Sequence, residues 1–119
     1  MKEEFDKECV GLIKSLNSLD GVQTIESCCG HLVNPYTIWF LNNNFITLGI
    51  LYRCVDKRYS DGKWRIEVSC SDATPTNGFL LTSINIFTSE EEMNESVCQL
   101  IKNIDYWSQP QFKDYFKGI

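Results

Sequence analysis

Apolar residues recur along this chain at two different spacings, and the switches between them mark its elements. Phe5, Cys9, Leu12, Ile13 and Leu16 stand three and four apart with charges between them, the stripe of an amphipathic helix over residues 3–18. Asp20-Gly21 closes it, because glycine readily takes the left-handed conformation that follows a last turn. Val22 to Cys28 then reads as a strand. After Asn34-Pro35, the run Tyr36 to Leu41 is apolar on both faces, as an interior strand should be. Asn42-Asn43-Asn44 is a turn and cap, and residues 45–59 form a helix that is apolar nearly all round in its first half and emerges at Asp56.

Asp61-Gly62 turns the chain into a two-residue period, with Trp64, Ile66, Val68 and Cys70 inward and Arg65, Glu67, Ser69 and Ser71 outward. Ser71 to Gly78 is a polar loop, and residues 79–87 form a fourth strand pairing with the third as a hairpin. Ser89 and Glu92 fit a capping box, and Met93, Val97, Leu100, Ile101, Ile104 and Trp107 form the buried stripe of the last helix. Pro110 breaks it, and Phe112, Tyr115 and Phe116 predict a short docked turn in a tail over 108–119. Ile25-Glu26-Ser27-Cys28 is echoed by Ile66-Glu67-Val68-Ser69-Cys70, although two units do not establish a period.

The order α-β-β-α-β-β-α predicts an α+β two-layer sandwich. A strand, a helix and a further strand normally make a right-handed parallel crossover, so the expected four-stranded sheet is mixed. At 119 residues the chain is expected to form one domain, 1–119. No apolar run approaches the roughly 20 residues of a spanning helix. MKEEFDKE is unlike a signal peptide, so a cytoplasmic location and no membrane partner are expected. In that compartment the six cysteines are expected as thiols.

The net charge of −5 disfavours RNA as a partner, with one local exception. Between residues 53 and 65 stand Arg53, Lys57, Arg58, Lys63 and Arg65 against Asp56 and Asp61, a local +3 that leaves −8 on the rest. It reads either as a solvated helix end complementing the dipole or as a phosphate-facing patch.

Candidate chemistry concentrates in Thr24-Ile25-Glu26-Ser27-Cys28-Cys29-Gly30-His31, which holds two adjacent thiols and the only histidine. In strand alternation Ile25, Ser27 and Cys29 share one face, and Glu26 and Cys28 the other. Four roles fit. Backbone amides around Gly30 can form an anion-binding nest, with Ser27, His31 and the basic cluster assisting. Zinc would draw on Cys28, Cys29, His31 and a remote Cys54 or Cys70, yet adjacent cysteines make a poor pair beside C-x-x-C, so no metal is expected. A thiol nucleophile would need an imidazole within hydrogen-bond reach. A purely structural role would make Cys29 a small core residue and Gly30 a turn. Cys9, Cys70 and Cys98 read as packing, and Trp39 and Trp64 are the aromatics that a base-stacking platform would require.

Asp6-Lys7-Glu8, the helix through Leu12-Ile13-Lys14-Ser15-Leu16-Asn17, and Gln23 to His31 together resemble the N-terminal part of the tRNA wybutosine-synthesising methyltransferase family. That family carries Ser-Cys-Ser-Gly-Arg after a similar helix and strand. Ser27, Cys28 and Gly30 match by position, while Cys29 and His31 stand where the family has serine and arginine. The Ser-Cys-Cys-Gly-His form is also similar to small bacterial and phage proteins of no assigned activity. The family resemblance implies an α/β fold, a ligand site at this turn, and methyl transfer from S-adenosylmethionine to a tRNA base.

The function expected from the residues is binding of an anionic small molecule or nucleotide through Ser27, Cys28, Cys29, Gly30 and His31, with Arg53, Lys57 and Arg58 as accessory charges. The alternatives are a methyltransferase-like role in tRNA modification and a non-enzymatic interaction module whose tail aromatics engage a partner. Whether the chain is an enzyme stays open at this point.

Overall fold

A computed structural model describes residues 7–69 and 78–112. A 3-10 turn over Lys7–Cys9 leads into α1, Val10–Asn17, which buries Leu12, Ile13 and Leu16 as the stripe predicts. Four strands follow, β1 (Val22–Cys28), β2 (Thr37–Asn42), β3 (Trp64–Val68) and β4 (Gly78–Ser83), with α2 (Phe45–Val55) between β2 and β3. The last helix, α3, spans Glu90–Trp107, and a 3-10 turn covers Pro110–Phe112.

Capping explains where the helices begin. The Asn44 side chain accepts from the amides of Ile46 and Thr47 at the start of α2, and Ser89 Oγ accepts from Glu92 N at the start of α3. The Glu92 carboxylate reaches back to the Thr88 amide at 2.9 Å, and that bond leads the influences holding its pKa below the ordinary value. At the other end of α2 the chain leaves the helix at Asp56, four residues before the expected end. Asp56 Oδ1 accepts from Arg58 N, and its carboxylate pairs with the Arg58 guanidinium at 2.8 Å. A local turn takes over the groups that another helical turn would have used.

The sheet order is β1-β2-β4-β3, with every neighbouring pair antiparallel. The expected mixed sheet is therefore corrected. Strands β2 and β3, joined through α2, do run in the same direction, because each is antiparallel to β4. Strand β4 nevertheless lies between them, so no parallel ladder forms. The composition of the hairpin accounts for this order: β4 carries Phe79, Leu80 and Leu81 and takes an interior place, while β3 carries Arg65 and Glu67, which suit an edge. Strand β4 also stops at Ser83, short of the expected Phe87. Ser83 Oγ accepts from Tyr36 N at 2.9 Å and donates to Asn85 O, drawing the chain into a turn.

The alternation of β1 is interrupted by a bulge at Ile25, between Thr24 and Glu26. The bulge turns Ile25 outward, 46% exposed, and keeps Ser27 buried opposite Ile38. One sheet face carries the buried positions Val22, Thr24, Ser27, Ile38, Phe40, Leu81 and Trp64. Helix α1 packs on β1 and α3, and α2 packs on α3, β2 and β3. On the outward face Glu26, Trp39, Leu80 and Glu67 form one cross-strand row.

Trp64 is a core residue, with its ring 5.2 Å from Tyr36 and 5.8 Å from Phe87. Its Nε1 donates to Ser96 Oγ, which donates to Asp61 Oδ2. Phe112 packs against Trp107 and Tyr106. Tyr115, Phe116, Cys70 and the loop over 71–77 lie outside the described residues.

Candidate functional site

Strand β1 delivers two thiols to the end of the sheet with opposite orientations. Cys28 pairs in register with Thr37 on the outward side, whereas Cys29, the first residue past the strand, is buried at 5% exposure. The backbone then makes three successive left-handed residues: Gly30 at φ +81, His31 at φ +50 and Leu32 at φ +63. For histidine and leucine this conformation costs free energy that glycine escapes. The carbonyl of Gly30 gathers the amides of Val33 at 2.9 Å and Asn34 at 3.0 Å, which closes the turn. A Cβ at position 30 would lie 3.0 Å from Pro35 O and 3.1 Å from Pro35 C, so the turn admits glycine there on space as well as on φ.

This turn swings the imidazole back over the thiol. His31 Nδ1 lies 3.5 Å from Cys29 Sγ, within hydrogen-bond range for sulfur. An adjoining cavity of about 160 Å³ is lined by Glu8, Cys29, His31, Leu32, Glu90 and Met93. Glu8 comes from the 3-10 turn before α1, and Glu90 and Met93 come from the first turn of α3. Behind the thiol the Tyr36 hydroxyl donates to Glu8 O at 3.0 Å, tying the end of the sheet to the start of α1. Tyr36 is fully buried, and that burial, followed by a hydrogen bond with Cys9, pushes its pKa far above the ordinary phenol value. The hydroxyl stays a donor across the physiological range.

The predicted site residues divide into three groups. Cys29 and His31 meet at the cavity, with Gly30 as the hinge. Ser27 and Cys28 do not line it. Ser27 Oγ is buried on the inner sheet face with no hydrogen-bond partner among the described residues, and Cys28 Sγ accepts from the Gly30 amide at 3.4 Å. The nest expected to hold an anion therefore has its central amide engaged by the protein's own sulfur. Arg53, Lys57 and Arg58 form the third group, at the end of α2, and none of them lines the cavity.

Arg53 lays its guanidinium over the rings of Tyr59 at 4.6 Å and Trp107 at 5.0 Å. Arg58 holds the Asp56 carboxyl down to about 2, mainly by direct hydrogen bonds. Lys63 pairs with Glu92, and Arg65, on the outward side of the sheet, pairs with Glu67. Arg53, Arg58, Lys63 and Arg65 are thus divided between stacking and ion pairs on different elements. Among the described residues no three His, Cys, Asp or Glu side chains converge to hold a metal ion, and Cys54, offered as a remote ligand, is buried in the core.

No family model, curated protein or solved structure matches this chain. The chemistry of the site rests on its own geometry.

Sequence reasoning missed Glu8, Glu90 and Met93. Glu90 was legible only as a favourable charge in the first turn of α3, and Met93 only as core. The one signal for their convergence is the compact chain itself, which brings the start of both helices to the end of β1.

Proposed function

We propose that Cys29 and His31 form a thiol–imidazole nucleophile and that the chain binds a small electrophile in the adjoining cavity. The observation that carries this reading is the 3.5 Å approach of His31 Nδ1 to Cys29 Sγ, made by a turn that is costly for both non-glycine residues in it. The imidazole accepts the thiol proton, the sulfur attacks an electrophilic carbon, and a carbon–sulfur bond forms. The displaced electron pair leaves on a heteroatom, which takes the proton back from the imidazolium. Met93 and Leu32 provide apolar wall, and the Tyr36 bond to the Glu8 carbonyl braces the side from which Glu8 projects.

This reading keeps the Ser27–His31 turn as the ligand site and changes the nature of the ligand. An anionic guest would meet Glu8 and Glu90 and would find the Gly30 amide occupied. A tRNA-modifying role calls for a continuous basic face beside the turn, whereas Arg53, Arg58, Lys63 and Arg65 are stacked or paired as described.

The test is site-resolved alkylation. Iodoacetamide at neutral pH, with each thiol read by peptide mass spectrometry, should modify Cys29 at a rate that His31→Ala lowers about a hundredfold, the low end of the usual gain from a positioned base. Cys98, which is exposed, provides the internal reference. An unchanged Cys29 rate in His31→Ala, with the variant folded by circular dichroism, would reject the proposal.

A further inference from the structure

The charge of the cavity narrows what it accepts. Among the described residues its lining holds two acidic residues, Glu8 and Glu90, and no lysine or arginine. Both acidic residues are exposed at the rim, while Cys29 and Met93 are buried at its base. Lys63, just before β3, is engaged by Glu92 of α3 at 3.4 Å. A mouth of one sign over a low-dielectric floor concentrates ligands of the opposite sign. The space is small, about 160 Å³.

Resting on the thiol–imidazole reading, we infer that the site takes small cations of the amidinium or guanidinium class. Such a group has a thiol-reactive carbon at the centre of its positive charge, so the carboxylates that draw it in also bring that carbon to the sulfur. It has about four non-hydrogen atoms, and its planar fork of N–H donors matches carboxylate acceptors in pairs. For a guanidinium the reaction it permits is amidino transfer. Cys29 Sγ attacks the central carbon and a bond to one amine nitrogen breaks. The thiol proton, carried by His31, leaves on that amine, and the positive charge remains on the sulfur-bound amidinium. One carbon–sulfur bond forms, one carbon–nitrogen bond breaks, and no oxidant or reductant is consumed.

A matched pair of reagents separates charge from shape. 2-Chloroacetamidine is a small planar cation, and 2-chloroacetamide is its neutral counterpart of nearly the same size. Both are applied to the full chain, and second-order rates are read at Cys29 and Cys98 by peptide mass spectrometry. The amidine should outpace the amide at Cys29 by about tenfold more than it does at Cys98, the lower range of electrostatic enhancement in a charged cleft. Glu8→Gln combined with Glu90→Gln should bring the Cys29 ratio down to that of Cys98. Equal ratios at the two thiols in the unmodified chain would overturn the cation preference while leaving the nucleophile standing, and this comparison involves no variant that might misfold. A Cys29 inert to both reagents would overturn the nucleophile as well.

Discussion

Replacing His31 by glycine and by alanine separates two things the turn does at once. At φ +50 and ψ +32 the residue is left-handed, which costs an L-amino acid roughly 1–2 kcal/mol. Glycine escapes that cost in the folded state but surrenders about 0.4–1 kcal/mol through the greater freedom of its unfolded chain. The balance leaves His31→Gly more stable than His31→Ala by about 0.5–1 kcal/mol. Both variants lose the imidazole and its contact with the thiol equally, so their difference isolates the backbone. With an unfolding entropy of about 2.1 cal/mol/K per residue, a chain of 119 residues shifts its melting temperature by about 4 °C per kcal/mol.

The expected separation is therefore about 2–4 °C, read by far-ultraviolet circular dichroism on heating, with a urea titration giving the free energies directly. Alkylation of Cys29 in the same samples should be slow in both. A His31→Gly protein that melts below His31→Ala would refute the reasoning, because the turn would then not be left-handed at this residue. The thiol contact would in that case need another explanation.

Two further outcomes follow from the core. Ser96→Ala should destabilise the fold by about 1–3 kcal/mol in urea titrations, because it leaves the Nε1 of a Trp64 only 2% exposed without its acceptor. Adding Trp64→Phe should cost less than the sum of the two single changes, and strict additivity would exclude the coupling. Stability should also fall at alkaline pH. Burial pushes the Cys54 thiol up from 9.0 to about 12 and raises Tyr36 above its ordinary 10.0, so the unfolded chain releases protons that the folded chain retains. That stabilisation is complete below pH 9 and is lost as pH rises toward the folded values, at up to about 1.4 kcal/mol per pH unit for each group. Cys54→Ala should flatten the decline between pH 9 and 10, and an unaltered slope would show that this thiol is not the one involved.

Much of the fold was legible because it is written locally. The stripe of α3, the Ser89 cap with Glu92 behind it, and the limits of β1 each depend on residues within one turn of one another. What escaped depends on longer or finer relations. Periodicity does not say which strand is a neighbour, so the same-direction relation of β2 and β3 was correct and their adjacency was not. An Asp56 that captures Arg58 N looks, in sequence, like one more charge on an emerging helix. The run Ser83-Ile84-Asn85-Ile86-Phe87 alternates as a strand would, but the Ser83 hydroxyl bonds to Asn85 O and Tyr36 N and ends the ladder early. The bulge at Ile25 is a backbone event that no alternation of side chains announces.

The site divides along the same line. A strand continued past Cys28 would place residues 29 and 31 on one face about 6–7 Å apart along the chain, too far for a thiol and an imidazole to share a proton. A right-handed turn would carry them to different sides of a helix, since neighbours on a helix surface are three or four apart. The left-handed turn is the arrangement found here, and it closes the pair to 3.5 Å. Gly30 announces the possibility of such a turn, and the three residues Cys29, Gly30 and His31 were therefore readable as a group. The charge of the space they face was not. It is set by Glu8 and Glu90, one before α1 and the other at the start of α3, each explicable alone as a favourable charge near a helix start. Of the basic cluster, conspicuous in sequence, Arg53 is stacked on Tyr59 and Trp107 and Arg58 is paired with Asp56. The amides around Gly30, with the local basic cluster as accessory charge, pointed in sequence to an anion. Glu8 and Glu90, which the fold sets around the same cavity as the thiol, are the basis for proposing a cation instead.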